Sequence, residues 1–373
     1  MIHQLSRLLN GLIVGILSVS FMACSEDVAF NELASTDRPF SPVPPTTDEE
    51  IPPPSSDGFF TKTQAVDVRS HGGDVDILFV VDNSGSMDAE QNQLANRISG
   101  FMNIIQDLNW QVAMTTTDPS KNTNDSNFKP RNWGDGGFRP FDSDDGQHFI
   151  LKNRQQSNDE AQRLLARAIH VGINGGIEER GIRSVYRAIE QRHLSSSHRE
   201  FFRPGASLEV VLISDEDECS NYVCTHQDAY RSSPLNLIEL VNREFGSEKK
   251  FSFHSIMWIP NDKSCKSAQN VGNTYHAMSQ LSDGVVGSIC SKNYSSILSD
   301  IGHKVLEQVT SIDIDCAPED VKKPGAKPRV LITLANGDIL LPHQFKLKGR
   351  KLTLQKPLPE GKHTVSYLCP QNK

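Results

Sequence analysis

The chain has 373 residues, and its 46 acidic and 38 basic side chains give a formal net charge of −8. This negative balance argues against nucleic acid as a partner, because nucleic-acid-binding domains carry basic surfaces. The length leaves room for more than one domain. The composition also changes along the chain, and these changes separate four segments.

Residues 1–23 have the pattern of a secretory signal peptide. They contain the basic residue Arg7 and an apolar run over 12–17 that is too short to span a bilayer. The tripeptide Phe-Met-Ala before Cys24 resembles the lipobox of bacterial lipoproteins. That resemblance implies a lipid on Cys24 and, with Ser25 beside it, an outer-membrane anchor facing the periplasm or the cell surface. Ordinary signal cleavage with release of the protein is the alternative.

Residues 24–65 are rich in proline and small polar residues and contain few large apolar side chains. Such a composition cannot bury a core, so we expect a semi-extended tether here. At about 3.1 Å per residue, a polyproline-like stretch over residues 25–60 would hold the next domain up to roughly 100 Å from its anchor.

The apolar run Ile77–Val81 is followed directly by Asp82, Ser84 and Ser86. A short, β-branched run without polar alternation is typical of a strand buried on both faces of a parallel sheet. Ligands bind in the crevice at the carboxyl ends of such strands. Because Mg²⁺ takes oxygen ligands and keeps several waters, one carboxylate and two hydroxyls would leave coordination positions for an outside oxygen. The alternative is a turn in which Ser84 or Ser86 caps a helix.

Strands and helices alternate over residues 66–311, which predicts an α/β domain with a doubly wound, mostly parallel sheet flanked by helices. The predicted strands are 77–81, 110–116, 148–151, 208–213 and 251–257. A long insertion between the second and third strands contains Phe128, Trp133, Phe138 and Phe141. This insertion either overhangs the metal ligands and anchors a partner, or packs on its own aromatic side chains. Within it, residues 142–146 only weakly resemble a calcium loop, because their spacing fails the EF-hand pattern.

The Asp-x-Ser-x-Ser motif after one strand, with Asp215 closing a later strand, resembles the von Willebrand factor type A domain and its metal-ion-dependent adhesion site. The resemblance implies Asp82, Ser84, Ser86 and Asp215 as ligands of Mg²⁺, or of Mn²⁺ or Ca²⁺. It also implies a partner protein that supplies a carboxylate to the metal, in adhesion or envelope assembly.

The second loop departs from the family pattern, because a glutamate stands where a threonine is usual. We favour Glu179 over Glu178 as a ligand, since Glu179 lies two residues before Gly181. Either glutamate could equally be an acidic residue of the first turn of a helix.

An acidic run, Asp215–Glu218, follows the later strand, and beyond Asp215 it reads best as a solvated loop. A metal-dependent hydrolase that uses Asp82, Asp215 and Asp217 is the alternative function. A structural, fully coordinated metal site is a third reading. No histidine base, GxSxG elbow or HExxH motif accompanies these carboxylates. Binding is therefore favoured over catalysis.

Six cysteines remain after Cys24, as expected of an exported protein. We expect nearest neighbours to pair: Cys219 with Cys224, Cys265 with Cys290, and Cys316 with Cys369. Residues 312–373 contain short β-type runs separated by turn signals. This last segment is therefore predicted to be a small β-sandwich-like domain.

Overall fold

The structure is a computed structural model, and it describes residues 58–68, 73–119, 133–141, 148–153, 155–176, 178–219, 226–247, 249–266, 268–318 and 330–370. The predicted signal peptide, Cys24, Ser25 and most of the tether lie outside these residues. So do Phe128, the weak calcium motif at 142–146, and Cys224.

Strands and helices follow one another much as the hydrophobic pattern predicts. The strands are β1 Phe59–Val68, β2 Asp74–Val81, β3 Asn109–Thr116, β4 Leu151–Lys152, β5 Ser207–Ile213, β6 Phe251–Met257, β7 Val286–Ser288, β8 Ser311–Asp313, β9 Val330–Thr333, β10 Phe345–Lys348, β11 Lys351–Leu354 and β12 Gly361–Pro370. The helices are α1 Asp88–Ile105, α2 Asn158–Ile169, α3 Gly181–Gln191, α4 Ser196–Phe201, α5 His226–Arg231, α6 Pro234–Phe245, α7 Asn273–Leu281 and α8 Ser295–Thr310. Within the described residues, no helix is long and apolar enough to cross a bilayer.

Six strands form the central sheet in the order β4-β3-β2-β5-β6-β7. All neighbouring pairs are parallel except β3 and β4, which pair antiparallel. One apolar core packs α1, α2 and α8 on one face, and a second packs α3, α4, α6 and α7 on the other. This arrangement confirms the predicted α/β fold class. Every residue of β2 and β5 is buried, which is why their second halves, Ile77–Val81 and Val210–Ile213, are uninterrupted apolar runs.

The strand register aligns the carboxyl ends of β2, β3 and β5 at one edge of the sheet. Val81 of β2 pairs with Thr116 of β3 and with Ile213 of β5. The residues that follow these three positions are Asp82, Thr117 and Ser214. Side chains of neighbouring parallel strands that leave the sheet at the same level can reach one another, so polar groups from three separate segments meet at this edge.

The described aromatic residues of the long insertion, which do not include Phe128, are buried in the domain. Trp133, Phe138 and Phe141 are 7, 4 and 3% exposed. The ring of Phe138 stacks on the imidazole of His198, with ring centroids 3.7 Å apart. These three side chains are therefore not available to hold a partner, and Phe138 packs on residues of α4 and not on the other described aromatic residues of the insertion, which differs from both expected arrangements.

The C-terminal segment, together with β1 and β8, forms two three-stranded antiparallel sheets, β1-β12-β9 and β10-β11-β8, which share a third apolar core. The disulfides Cys265–Cys290 and Cys316–Cys369 are both present. The pairing of Cys219 with Cys224 stays a prediction, since Cys224 is outside the described residues.

The predicted tether end at residue 65 needs correction, because β1 begins at Phe59 and pairs with β12 along its whole length. The predicted end of the tether at residue 65 was based on the proline content of the segment. The alternating pattern of β1, with Phe60, Val66 and Val68 packed on the C-terminal core, is the strand signal that it overlooked.

We expect a chain that begins at Gly73 to lose stability in its C-terminal sheets relative to one that begins at Gly58. Three partly buried apolar side chains contribute about 2–4 kcal/mol to that core. Hydrogen exchange followed by mass spectrometry should show faster exchange in β12 of the shorter chain and unchanged exchange in β2. Equal protection of β12 in both chains would mean that β1 is dispensable.

Candidate metal centre

The carboxylate of Asp82 is fully buried and accepts hydrogen bonds from residues of two loops. Its Oδ1 accepts a hydrogen bond from the backbone N–H of Ser84 (2.7 Å), and its Oδ2 accepts one from the hydroxyl of Ser214 (2.6 Å). The backbone N–H of Asp82 donates to the carbonyl of Ile213 at 3.0 Å, which continues the β2–β5 pairing by one residue. Asp82 is therefore fixed at the point where β2 and β5 end.

Ser84, Ser86 and Asp215 form a line of oxygen atoms at the same edge. The hydroxyls of Ser84 and Ser86 are 3.2 Å apart, and the Ser86 hydroxyl donates to Oδ1 of Asp215 at 3.0 Å. Neighbouring ligands on a Mg²⁺ octahedron with bonds of about 2.1 Å are separated by about 3.0 Å. These spacings therefore fit the adjacent positions of such an octahedron.

Neither serine caps the helix that follows. The cap position of α1 is Met87, and it makes no side-chain capping hydrogen bond. The alternative reading of the serines as helix caps is thus not supported, and both hydroxyls point into the cluster of oxygen atoms.

The second loop brings Glu179 into the same region. Glu179 is 1% exposed, and its carboxylate accepts a hydrogen bond from the Thr117 hydroxyl at the end of β3. Asp118 accepts the backbone N–H of Gly176 at 3.1 Å. Glu178 instead forms an ion pair with Arg180. Of the two glutamates, the structure therefore directs Glu179 towards the site. It precedes α3, whose first turn contains no acidic residue.

Burial and mutual repulsion act on the carboxylates of this site. Burial, with a further contribution from Glu216, raises the pKa of Asp82 to about 6. Burial and then the charge of Asp82 raise the pKa of Asp215 to about 7. The same two causes raise the pKa of Glu179 well above its usual value. Without a cation, the cluster therefore opposes its own ionisation at neutral pH.

The oxygen atoms gathered at this site suit a hard divalent cation. Hydroxyl groups as well as carboxylates provide them. Among the described residues, no group of three or more His, Cys, Asp or Glu side chains is arranged to hold a metal ion. The convergent oxygen atoms at the sheet edge come instead from Asp82, Asp215, Ser84 and Ser86. Such a mixed set of a few protein oxygens is compatible with Mg²⁺, which retains several waters.

The acidic run after Asp215 caps helices and is not a solvated loop. Asp217 accepts the backbone N–H groups of Thr274 (3.0 Å) and Tyr275 (3.3 Å) at the start of α7. Glu218 accepts those of Ile182 (2.8 Å) and Arg183 (3.1 Å) at the start of α3. The hydrolase reading assigned Asp217 to water activation, but its carboxylate is engaged in this cap.

Sequence reasoning missed Thr117, Asp118 and Ser214, each of which lies at or just beyond the end of a strand. Ser214 follows Ile213 and directly precedes Asp215, so the second strand-end motif could have been read as Ser-Asp instead of Asp alone. Thr117 and Asp118 begin the long insertion, and no periodic pattern singles them out.

No protein-family model and no curated protein matches this chain. It is similar to a solved structure of a von Willebrand factor type A protein from Catenulispora acidiphila, with 13% identity, 84% of this chain and 62% of that chain covered, and a TM-score of 0.39. A conserved hypothetical protein, BatB from Bacteroides thetaiotaomicron, shares 10% identity over 63% of this chain and 98% of its own, with a TM-score of 0.35. The manganese-loaded TRAP protein of Plasmodium vivax shares 13% identity with this chain. The match covers 65% of this chain and 76% of that chain, with a TM-score of 0.32.

The present chain thus spans less than two thirds of the first of these structures. The von Willebrand factor type A resemblance expected from the sequence recurs among these structures. At these identities and TM-scores the likeness carries no argument about function, and the fold assignment rests on the strand order of the chain itself.

We expect Asp215→Asn to raise the thermal unfolding midpoint of the metal-free protein at pH 8. The pKa of Asp215 is about 7 in the folded protein and about 3.9 in an unfolded chain. Its contribution to stability is therefore present below about pH 4 and is lost as the pH rises through 7. The amide keeps the oxygen that accepts from Ser86 and removes the charge. The midpoint of the variant should also vary less between pH 5 and pH 8.

Asp217→Asn is the matched control, because it alters the neighbouring helix cap. It should lower stability by about 0.3–1 kcal/mol at either pH, because it removes a negative charge at the N-terminus of α7. If Asp215→Asn destabilises the metal-free protein at pH 8 as Asp217→Asn does, charge repulsion is not what limits the site.

Proposed function

We propose that this protein is a cell-envelope binding module that captures a partner protein through a divalent cation. Asp82, Ser84, Ser86 and Asp215 would hold the ion, and Glu179 would add a carboxylate from the second loop. The observation that carries the proposal is the spacing of 3.2 and 3.0 Å along the oxygens of Ser84, Ser86 and Asp215 at the carboxyl edge of the sheet.

The number of oxygens favours Mg²⁺ or Mn²⁺ over Ca²⁺. Calcium usually requires six to eight oxygens at about 2.3–2.6 Å, more than the four or five that this chain provides. Four or five protein oxygens leave part of a six-coordinate shell to water. Gly85 and Ser86 are exposed, so this part of the site is accessible from outside.

A carboxylate from a partner is the ligand that best completes such a site. It is a hard, anionic oxygen donor, and it would replace a metal-bound water. The bound metal supplies Lewis acidity and positive charge, while this chain's own residues fix the position of the ion and shield it on the sheet side. Binding and not catalysis is proposed, because the structure engages Asp217 in a helix cap and so removes one member of the hydrolytic set.

The envelope location rests on the sequence of the first 25 residues, and we propose lipidation of Cys24 with an outer-membrane anchor. Cys24→Ser should shift the protein from the membrane fraction to the soluble envelope fraction, as followed by immunoblot after cell fractionation. Ser25→Asp, a matched change beside it, should keep the lipid and change only the membrane in which the protein is found. Retention of Cys24→Ser in the membrane would contradict the anchor.

We expect isothermal titration calorimetry to detect binding of Mg²⁺ or Mn²⁺ to the wild-type protein. Asp82→Ala and Ser86→Ala should weaken this binding at least about tenfold, since each removes a ligand. Asp88→Ala is the control, because Asp88 is an exposed carboxylate close in sequence that stands outside the oxygen cluster. No heat with any of these divalent ions would overturn the proposal.

Partner capture should depend on the same ion. A pull-down from envelope extract, with and without chelator, compares the wild type with Asp82→Ala. Proteins captured by the wild type alone, and lost on chelation, would support metal-dependent binding. The same set of proteins in all four samples would contradict metal-dependent binding. In a separate assay, Mg²⁺-dependent turnover of model esters that is lost in Asp82→Ala would favour the alternative function as a hydrolase.

A further inference from the structure

Three lysines lie on the loops that follow β6 and β7, at the carboxyl edge of the central sheet. Lys263, Lys266 and Lys292 are exposed, and within the described part of the chain none of them forms an ion pair. We call this group the lysine patch. It is a concentration of positive charge on a chain whose formal net charge is −8.

A disulfide holds the two halves of the lysine patch together. Cys265 and Cys290 are bonded, with their Cα atoms 5.2 Å apart. Lys266 is one residue from Cys265 and Lys292 is two residues from Cys290, so the Cα atoms of these two lysines lie within about 17 Å of each other. An extended peptide of about five residues spans that distance.

The segment with Lys263 and Lys266 is joined to the third metal loop by backbone hydrogen bonds. The N–H groups of Gln269 and Asn270 donate to the carbonyl of Asp215 at 2.9 and 3.1 Å. Lys266 is three residues before Gln269, so at most about 12 Å separates their Cα atoms. The lysine patch therefore lies at the same edge of the sheet as the metal ligands.

The loops that carry the patch are held in place before any partner binds. The indole N–H of Trp258 donates to the carbonyl of Asp262 at 3.0 Å, and the hydroxyl of Tyr294 donates to the carbonyl of Ile289 at 2.8 Å. The Asp262 carboxylate accepts from the backbone N–H and the hydroxyl of Ser264, and hydrogen bonding to Ser264 lowers its pKa. Little ordering is then needed on binding, which favours affinity.

We propose that the lysine patch and the metal centre form one continuous docking surface for an acidic, extended segment of a partner protein. One carboxylate of the segment would bind the metal ion, and further carboxylates would lie along the lysines. This inference rests on the proposed function and defines its partner as a chain with several acidic residues close together, not a single exposed carboxylate.

Charge complementarity favours an acidic peptide over other anions. Recognition of anionic lipid surfaces usually involves clusters of four to eight basic residues, whereas the patch has three. Nucleic acid would meet the repulsion of a chain that is acidic as a whole. A peptide is also the anion that provides carboxylates both for a hard cation and for lysines.

The test uses the full chain and a fluorescein-labelled peptide of Gly and Ser with four spaced glutamates. Fluorescence anisotropy at saturating Mg²⁺ compares the wild type with the charge-reversed variant Lys263→Glu/Lys266→Glu/Lys292→Glu. The control variant, Lys346→Glu/Lys348→Glu/Lys362→Glu, makes the same change in net charge at exposed lysines of the C-terminal sheets. Calorimetry measures Mg²⁺ binding by each protein.

We expect the lysine-patch variant to bind the peptide about tenfold or more weakly at low ionic strength, and the control to change less than twofold. The difference should shrink as salt increases, because exposed charges are screened over about 10 Å at 0.1 M. Mg²⁺ affinity should not fall in either variant, and the added negative charge near the site should if anything strengthen it in the lysine-patch variant. A matching glutamine peptide should bind poorly to all three proteins.

Equal peptide binding by the two variants, with Mg²⁺ dependence intact, overturns the role of the lysine patch and leaves the metal centre standing. Peptide binding that depends on the lysines and ignores chelation overturns the proposed function and the bridging segment with it. Binding of phosphatidylserine vesicles through the lysines, without binding of the peptide, would identify a lipid surface and also overturn the proposal.

Discussion

The hydrogen bonds that hold the Asp82 carboxylate are the interaction on which the site depends. One comes from the backbone of Ser84 in its own loop and the other from the hydroxyl of Ser214 at the end of β5. Both exist because β2 and β5 pair in a register that ends them at the same level. A slip of one residue would turn every side chain of β2 to the other face and move Asp82 away from Ser214. The packed core on both faces of the sheet is therefore what positions the candidate ligands.

Two kinds of carboxylate meet near this edge of the sheet, and their hydrogen-bond partners distinguish them. Asp217, which is half-buried, and the buried Glu218 accept hydrogen bonds from the N-terminal N–H groups of α7 and α3, although burial still raises the pKa of Glu218 to about 7. Asp82, Asp215 and Glu179 have hydroxyls and one N–H as partners, and the charges acting on them come from other carboxylates. Helix N-termini supply positive potential to the first group. In the second group, either protonation of the carboxylates or a bound cation relieves their mutual repulsion.

The sequence predicts the elements that depend on local periodicity and fails where contacts come from distant parts of the chain. Strand β2 and the ligand motif after it are contiguous, so Asp82, Ser84 and Ser86 could be recognised directly. Asp215 could be placed because it too ends an apolar strand. The choice of Glu179 over Glu178 depended on a neighbouring glycine, and only the fold shows that the Thr117 hydroxyl reaches its carboxylate.

Residues whose partners are remote in sequence gave no such signal. The roles of Asp217 and Glu218 depend on helices that begin 36 to 57 residues away. Strand β1 pairs with β12 at the other end of the chain, which explains why composition alone assigned its first residues to a tether.

The charge balance of the site cannot be predicted from local sequence patterns either. A divalent ion bound by Asp82 and Asp215 would have its charge balanced by these two carboxylates, so the centre would carry no net positive charge to draw in a third carboxylate from a distance. Attraction at longer range must then come from outside the ligand set, and the lysines fixed beside Cys265 and Cys290 are positioned to provide it.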